Sequence, residues 1–344
     1  VVASGAASAP IATGLGTTDA TVTVESETGK SKTYTVHLVR DVEFETYVKA
    51  PMPEADARFG SGLNASGDTL VVGAAYEDSG VTAGSTLTNS GSVYVYRLNA
   101  DGTVALEQKL KAPNAGAEDN FGWETAIDGD TLVVSAPYED SDATTVDGDM
   151  NNDNRTDSGA LYVYRRSGTT WSLEGYLKVP TTELGHTLGQ KIAIDGNVIV
   201  AGTPYDDGPT GTTANAGAVY VFERVGSKWS LTATLRGSNT TTDDRFGLAV
   251  DVDGNTIVAG AYCEDGSSSG VNGNANALDP TNYGNAGAVY VFERSGMGGW
   301  GQTTYLKSSY PAAGDNFGLS VGIAGTVIVV GAQGEDSNST ASNP

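Results

Sequence analysis

Paired carboxylates recur along this sequence and are its most numerous candidates for chemistry. Glu77-Asp78, Glu139-Asp140, Asp206-Asp207, Glu264-Asp265 and Glu335-Asp336 each follow a short apolar run. Two neighbouring carboxylates can work as an acid–base couple or share a cation, and without compensation they repel. A second arrangement is Asp147-x-Asp149-x-Asn151-x-Asp153-Asn154-Arg155-Thr156-Asp157. Oxygen-bearing side chains at alternate positions can point at one ion, and the main-chain carbonyl of Arg155 would add a ligand. Ca²⁺ is the expected cofactor there, with Asp147 extending the shell. Asn272-x-Asn274-x-Asn276…Asp279 is a weaker version with little charge. The competing reading is local: turn acids cap nearby N–H groups, and the insertions are polar loops.

Other reactive residues are few. The two histidines, His37 and His186, have no partner motif, and the single cysteine, Cys263, excludes an internal disulfide framework. Trp171, Trp229 and Trp300 recur at one position of a repeat, which favours packing over a sugar platform. A carboxylate pair in every repeat argues for structure, so we expect no catalytic residues and no enzyme. Asn64, Asn154, Asn239 and Asn338 head glycosylation sequons, which matter only in a eukaryotic host.

The elements that must position these groups come in copies. Phe-Gly occurs at 59, 121, 246 and 317, with Leu188-Gly189 as a drifted copy, and a small-residue pair follows fourteen residues after each. Then comes the acidic box, and GSVYVYR, GALYVYR or GAVYVFER closes four of the five units. Such self-similarity signals a repeat architecture. Thr131–Ala136 is short, β-branched and bounded by turn residues, as a buried strand is. Asp-Gly between apolar runs, as at 128–129, 195–196 and 253–254, predicts tight hairpins. A fourth strand starts near each recurring Trp. Four antiparallel strands per repeat make one propeller blade.

On these residues the chain resembles the FG-GAP repeat of integrin α-subunit head propellers, over residues 44 to 336. The resemblance implies an extracellular seven-bladed propeller engaged in adhesion, and the 149–157 loop resembles the calcium loop of such blades. In that family the calcium motif sits in the turn between strands one and two, which here is only Asp-Gly-Asp/Asn. The expected fold is all-β, with about four and a half four-stranded blades starting near 59, 121, 188, 246 and 317. Residues 1–43 read as a linker followed by a hairpin over 21–40 that resembles the end of a cadherin-like β-sandwich. Residues 44–344 read as the propeller. FETYVKAP at 44–51 matches the ends of fourth strands and is a candidate for blade closure.

Composition bounds the partners. The chain has 344 residues, 42 acidic against 19 basic, and a net charge of −23. That balance argues against nucleic acid and anionic membranes. No apolar run approaches the roughly 18 residues that would span a bilayer. The start lacks Met and a basic region, so a signal peptide is not expected there, and both ends look cut from a longer protein. In a meander, loops 2–3 and 4–1 share one end of the blade, so the ten box carboxylates are expected to form an acidic binding rim. The leading functional expectation is a non-catalytic, calcium-stabilised cell-surface propeller that binds protein or glycan. The alternatives are a filament or surface-layer subunit completed by strand addition, and an accessory domain of a propeller hydrolase or lyase.

Overall fold

The computed structural model describes residues 16–25, 31–40, 47–80, 84–180, 184–296 and 299–336, which fall into two compact units, 1–48 and 49–344. In the first, β1 (Gly16–Glu25) pairs antiparallel with β2 (Ser31–Arg40), with Gly16 opposite Arg40. The strand therefore begins at Gly16, inside the stretch 1–20 read as a linker or irregular strand, with Thr17 opposite Val39 and Thr18 opposite Leu38 in register. A sandwich around this hairpin lies outside the described residues.

The second unit is a series of antiparallel meanders. Blade 1 is β3 (Phe59–Ser66), β4 (Thr69–Ala74), β5 (Ser92–Leu98) and β6 (Val104–Leu110). Blade 2 is β7 (Thr125–Asp128), β8 (Thr131–Ala136), β9 (Ala160–Ser167) and β10 (Thr170–Leu177). Blade 3 is β11 (Lys191–Asp195), β12 (Val198–Thr203), β13 (Ala218–Val225) and β14 (Lys228–Leu235). Blade 4 is β15 (Ala249–Asp253), β16 (Thr256–Ala261), β17 (Ala288–Arg294) and β18 (Trp300–Leu306), with one helical turn, α1 (Pro280–Tyr283), in its 2–3 loop. Half a blade follows, β19 (Phe317–Ala324) and β20 (Val327–Ala332). Residues 47–50 carry no strand, yet the Lys49 carbonyl accepts the Tyr96 hydroxyl at 3.0 Å, as the Lys111 carbonyl accepts that of Tyr164 at 3.1 Å. The segment occupies a fourth-strand end without being a strand.

Blades pack face to face, which is why the inner strands are apolar on both sides. Val133, Leu161 and Val163 of blade 2 meet Ile199, Ala201 and Tyr220 of blade 3. On the opposite face Leu132, Val134 and Tyr162 meet Val71, Val93 and Val95 of blade 1. Period-two alternation thus feeds two cores instead of one core and solvent. The small-residue pair sets the spacing between blades: a Cβ on Gly202 would lie 1.8 Å from the Gly247 carbonyl oxygen of the next blade, and one on Gly260 would lie 2.0 Å from that of Gly318. The Asp-Gly turns also link neighbours, since the N–H of Gly196 donates to Asp128 at 2.8 Å and that of Gly254 to Asp195 at 2.6 Å. The recurring tryptophans do the same at the outer edge. Trp171 donates Nε1–H to Glu107 at 2.8 Å and Trp229 to Glu174 at 3.0 Å, each acceptor belonging to the preceding blade.

Candidate functional site

Loops 2–3 and 4–1 share one end, as the meander requires. The N–H groups of Asn120, Thr187, Arg245 and Asn316, each just before a blade, donate to the carbonyls of Asn89, Asp157, Asn215 and Asn285 in the preceding 2–3 loop. The box carboxylates divide into two kinds at this end. The first of each pair, Glu77, Glu139, Asp206 and Glu264, is buried within its blade. Glu139 accepts Lys178 Nζ at 2.9 Å, the Tyr176 hydroxyl at 2.8 Å and Asn114 Nδ2 at 3.0 Å. Glu264 accepts Lys307 Nζ at 2.7 Å, the Tyr305 hydroxyl at 2.9 Å and Asn239 Nδ2 at 2.8 Å. Asp206 meets Arg236 and the Tyr220 hydroxyl, and Glu77 meets Lys109, Ser92 and the Tyr94 hydroxyl. Burial pushes the Glu77 and Asp206 carboxyls up, but their hydrogen bonds and the adjacent cations outweigh it and hold both below the usual range. These four are interior ion pairs, so the expected ten-residue rim does not form as such. A buried ion is tolerated only with a counter-ion and filled lone pairs. The residue just after the fourth strand supplies that cation in blades 2 to 4 (Lys178, Arg236, Lys307), whereas in blade 1 it is Lys109 within β6.

The second of each pair caps the backbone. Asp78, Asp140, Asp207 and Asp265 accept the N–H of Asn89, Asp157, Asn215 and Asn285 at 2.8 to 2.9 Å. All four donors have left-handed φ between 48° and 57°, where Asn and Asp are best tolerated. Glu335 and Asp336 of the half blade are exposed. In the 4–1 loops, burial drives the Asp119 and Asp244 carboxyls up to about 7, against the opposing pull of the N–H groups they accept.

The proposed calcium loop is a strap over the fourth strand. Asp147 donates its N–H to the Tyr176 carbonyl at 2.7 Å and accepts the Tyr176 N–H at 3.1 Å. Asp149 accepts the N–H of Asn151 at 3.0 Å, and the Met150 carbonyl accepts Asn114 Nδ2 at 2.8 Å. The blade 4 insertion repeats this bond for bond. Asn272 and Tyr305 exchange the same pair at 2.7 and 2.9 Å, Asn274 accepts the N–H of Asn276 at 3.2 Å, and the Ala275 carbonyl accepts Asn239 Nδ2 at 2.8 Å. Because Asn272 and Asn274 reproduce the geometry of Asp147 and Asp149 without charge, the geometry does not depend on an ion. Among the described residues no three Asp, Glu, His or Cys side chains gather closely enough to hold a metal. Asp153 and Arg155 are exposed, and the Arg155 carbonyl accepts the N–H of Ser158 at 3.3 Å. Asp147, Asp149, Asn151, Asp153, Arg155 and Asp157 therefore do not fit a closed calcium shell in this arrangement.

The remaining candidates fall as follows. Asn239 is buried, donating to Glu264 and Ala275 and accepting from Tyr290, so its sequon has no amide left for a glycan. Asn64 is half-buried on β3, Asn154 is exposed, and Asn338 lies outside the described residues. His186 is buried, and the Cys263 thiol is half-buried and pushed up by that burial.

A site the sequence reading passed over lies where the first strands begin. A cavity of about 620 Å³ is lined by Arg58, Tyr76, Trp123, Glu124, Gln190, Lys191, Leu248 and Leu319, contributed by all five blades. Arg58 holds its guanidinium 3.9 Å over the Tyr76 ring, and Trp123 packs edge-on against Tyr138 at 5.7 Å. The legible signal was the residue before each Phe-Gly. It takes left-handed φ in every blade, and Asn120 and Asn316 suit that conformation while Arg58 and Arg245 do not.

Repeated four-stranded antiparallel meanders, packed face to face and joined end to end by close glycine contacts, define a β-propeller architecture. The FG-GAP repeat pattern matches residues 49–96, 104–164, 182–222, 229–292 and 300–343, and the chain belongs to the FG-GAP repeat family. The matched unit ends at a third strand in the first four copies, and the matches beginning at 104, 229 and 300 open on the fourth strand of the preceding blade. No curated protein sequence matches the chain.

Proposed function

We propose that this chain is a non-catalytic recognition propeller, displayed outside the cell, that binds protein or glycan through the end carrying the 2–3 and 4–1 loops. The observation behind this reading is the fate of the acid boxes. The carboxylates that would supply acid–base pairs are, in four blades, consumed by internal Lys, Arg and Tyr partners. What remains accessible at that end is loop surface and the cavity at the strand starts. Among the described residues no helix is long and apolar enough to cross a membrane. Calcium is not part of this reading. The test is binding of the purified chain to panels of immobilised surface polysaccharides and proteins, beside a variant in which residues 143–156 are replaced by a short Gly-Ser turn. Binding that survives the loop change and loss of every cavity side chain alike would refute it.

One observation favours a second reading, assembly by strand addition. β20 pairs only with β19 among the described residues, and Val327 and Val329 on it are exposed. Concentration-dependent mass by light scattering, abolished by Val329→Lys, is the expected result if copies complete each other.

A further inference from the structure

The geometry points to the cavity at the strand starts as a binding site for an acidic saccharide, a sugar ring bearing a carboxylate. This inference rests on reading the chain as a recognition propeller and names the ligand of that end. Three donors line one cavity without a protein acceptor among the described residues: the Arg58 guanidinium, the Trp123 indole N–H and the amide of Gln190, which is only 9% exposed. Arg58 makes a cation–π contact with Tyr76 and, among the described residues, no ion pair, although acids outnumber bases 42 to 19 in the chain. Lys191 is different, because its ammonium is paired with Glu124. Arg58 also stands in left-handed backbone, φ 49°, at a position where two other blades use Asn. A residue that defies its local conformation and leaves its charge unmatched is the kind that a site retains.

The chemistry of the lining selects the ligand. A guanidinium held over an aromatic ring, as Arg58 is over Tyr76, still presents a planar fork suited to a carboxylate. Trp123, which lines the cavity beside Tyr76 with ring centroids 6.3 Å apart, adds an aromatic surface for a pyranose, and the Gln190 amide can serve its hydroxyls. A cavity of about 620 Å³ has the volume of a small-molecule site.

The probe is digalacturonate, titrated calorimetrically into the full chain, beside the neutral digalactoside and a Glu-Glu dipeptide of equal charge. We expect digalacturonate to bind at least tenfold more tightly than either control. Arg58→Asn and Trp123→Leu place at these positions residues that equivalent blades already carry, so both fold. Each should weaken digalacturonate at least tenfold without lowering the melting temperature, while Arg58→Lys keeps the charge, loses the fork and falls between. Equal binding of acidic and neutral sugars, equal binding of the dipeptide, no binding at all, or affinity unmoved by Arg58→Asn overturns the assignment. Should the panels still show a protein or another glycan bound through the loops, the recognition reading stands and only this ligand falls.

Discussion

Blades 2 and 4 differ from blades 1 and 3 in how the 2–3 loop meets the fourth strand. Both carry a long 2–3 insertion that straps a fourth-strand tyrosine, Tyr176 or Tyr305, and a 4–1 loop asparagine, Asn114 or Asn239, that bridges strap, glutamate and third-strand tyrosine. Across the sheet, Tyr162 faces Tyr176 and Tyr290 faces Tyr305, whereas in blades 1 and 3 Tyr94 faces Lys109 and Tyr220 faces Thr234. Without a strap, blade 1 closes its glutamate with Lys109, whose side chain is 34% exposed, and blade 3 uses a shorter acid with a longer base, Asp206 with Arg236. The lesson is that one acidic box can be neutralised either in the dry or at the surface, and the strap decides which.

The largest effect that tests this contrast comes from deleting a buried cation. Lys178→Met strands Glu139, and we expect it to cost about 3–5 kcal/mol. Lys109→Met removes a cation that is itself 34% exposed, so water can take its place beside the buried Glu77, and the expected cost is smaller, about 1–2 kcal/mol. Denaturant unfolding measures both, and equal costs would erase the distinction. Next, Asn114→Ala or Asn239→Ala removes a bridge to a buried carboxylate and a buried hydroxyl, with an expected loss of about 1–3 kcal/mol each.

pH separates the two kinds of acid by sign. The folded Asp119 and Asp244 carboxyls titrate at about 7, well above their unfolded value of about 3.9, so the folded state holds protons that the unfolded state has released. Their contribution to stability therefore falls as pH rises from about 4 to 7, and Asp119→Asn should flatten that fall and raise the melting temperature at pH 8. Glu77 and Asp206 act oppositely: their carboxyls are lowered, so the stability they add is present above the unfolded pKa and is lost as pH drops through the lowered one. Melting curves from pH 3 to 8 on the wild type and Asp119→Asn check both signs. The smallest effect is expected from Asp147→Asn, which copies Asn272 of blade 4: under about 0.5 kcal/mol, with no change in melting temperature on adding chelator. A chelator-sensitive wild type that loses this sensitivity in the variant would restore calcium to the strap.

Much of the fold was legible because the repeat reports the same physical demand five times. Phe-Gly, the small pair and the Asp-Gly turn each answer a close approach or a left-handed backbone, constraints carried by the residue itself. The site was less legible. Glu139 and Asp140 are adjacent and alike in sequence, yet the turn after β8 points one inward to Lys178 and leaves the other to cap Asp157. The strap was ambiguous for the same reason, since alternating Asp and Asn serves turn N–H groups as readily as an ion. Arg58 gave a signal only in comparison with Asn120 and Asn316, once the shared left-handed backbone was known.

The sequence by itself determined the strand pattern, the blade period and the end at which the acidic boxes gather, because these depend on periodicity and turn chemistry within a few residues. Tertiary structure alone decided which carboxylates are charged partners in the dry, which are caps, and which side chains from five separate blades meet in one cavity. Those outcomes depend on distances between residues some 30 to 260 positions apart, such as Glu139 to Lys178 and Arg58 to Leu319. Burial, which sets the cost of a charge, exists only once the blades have packed.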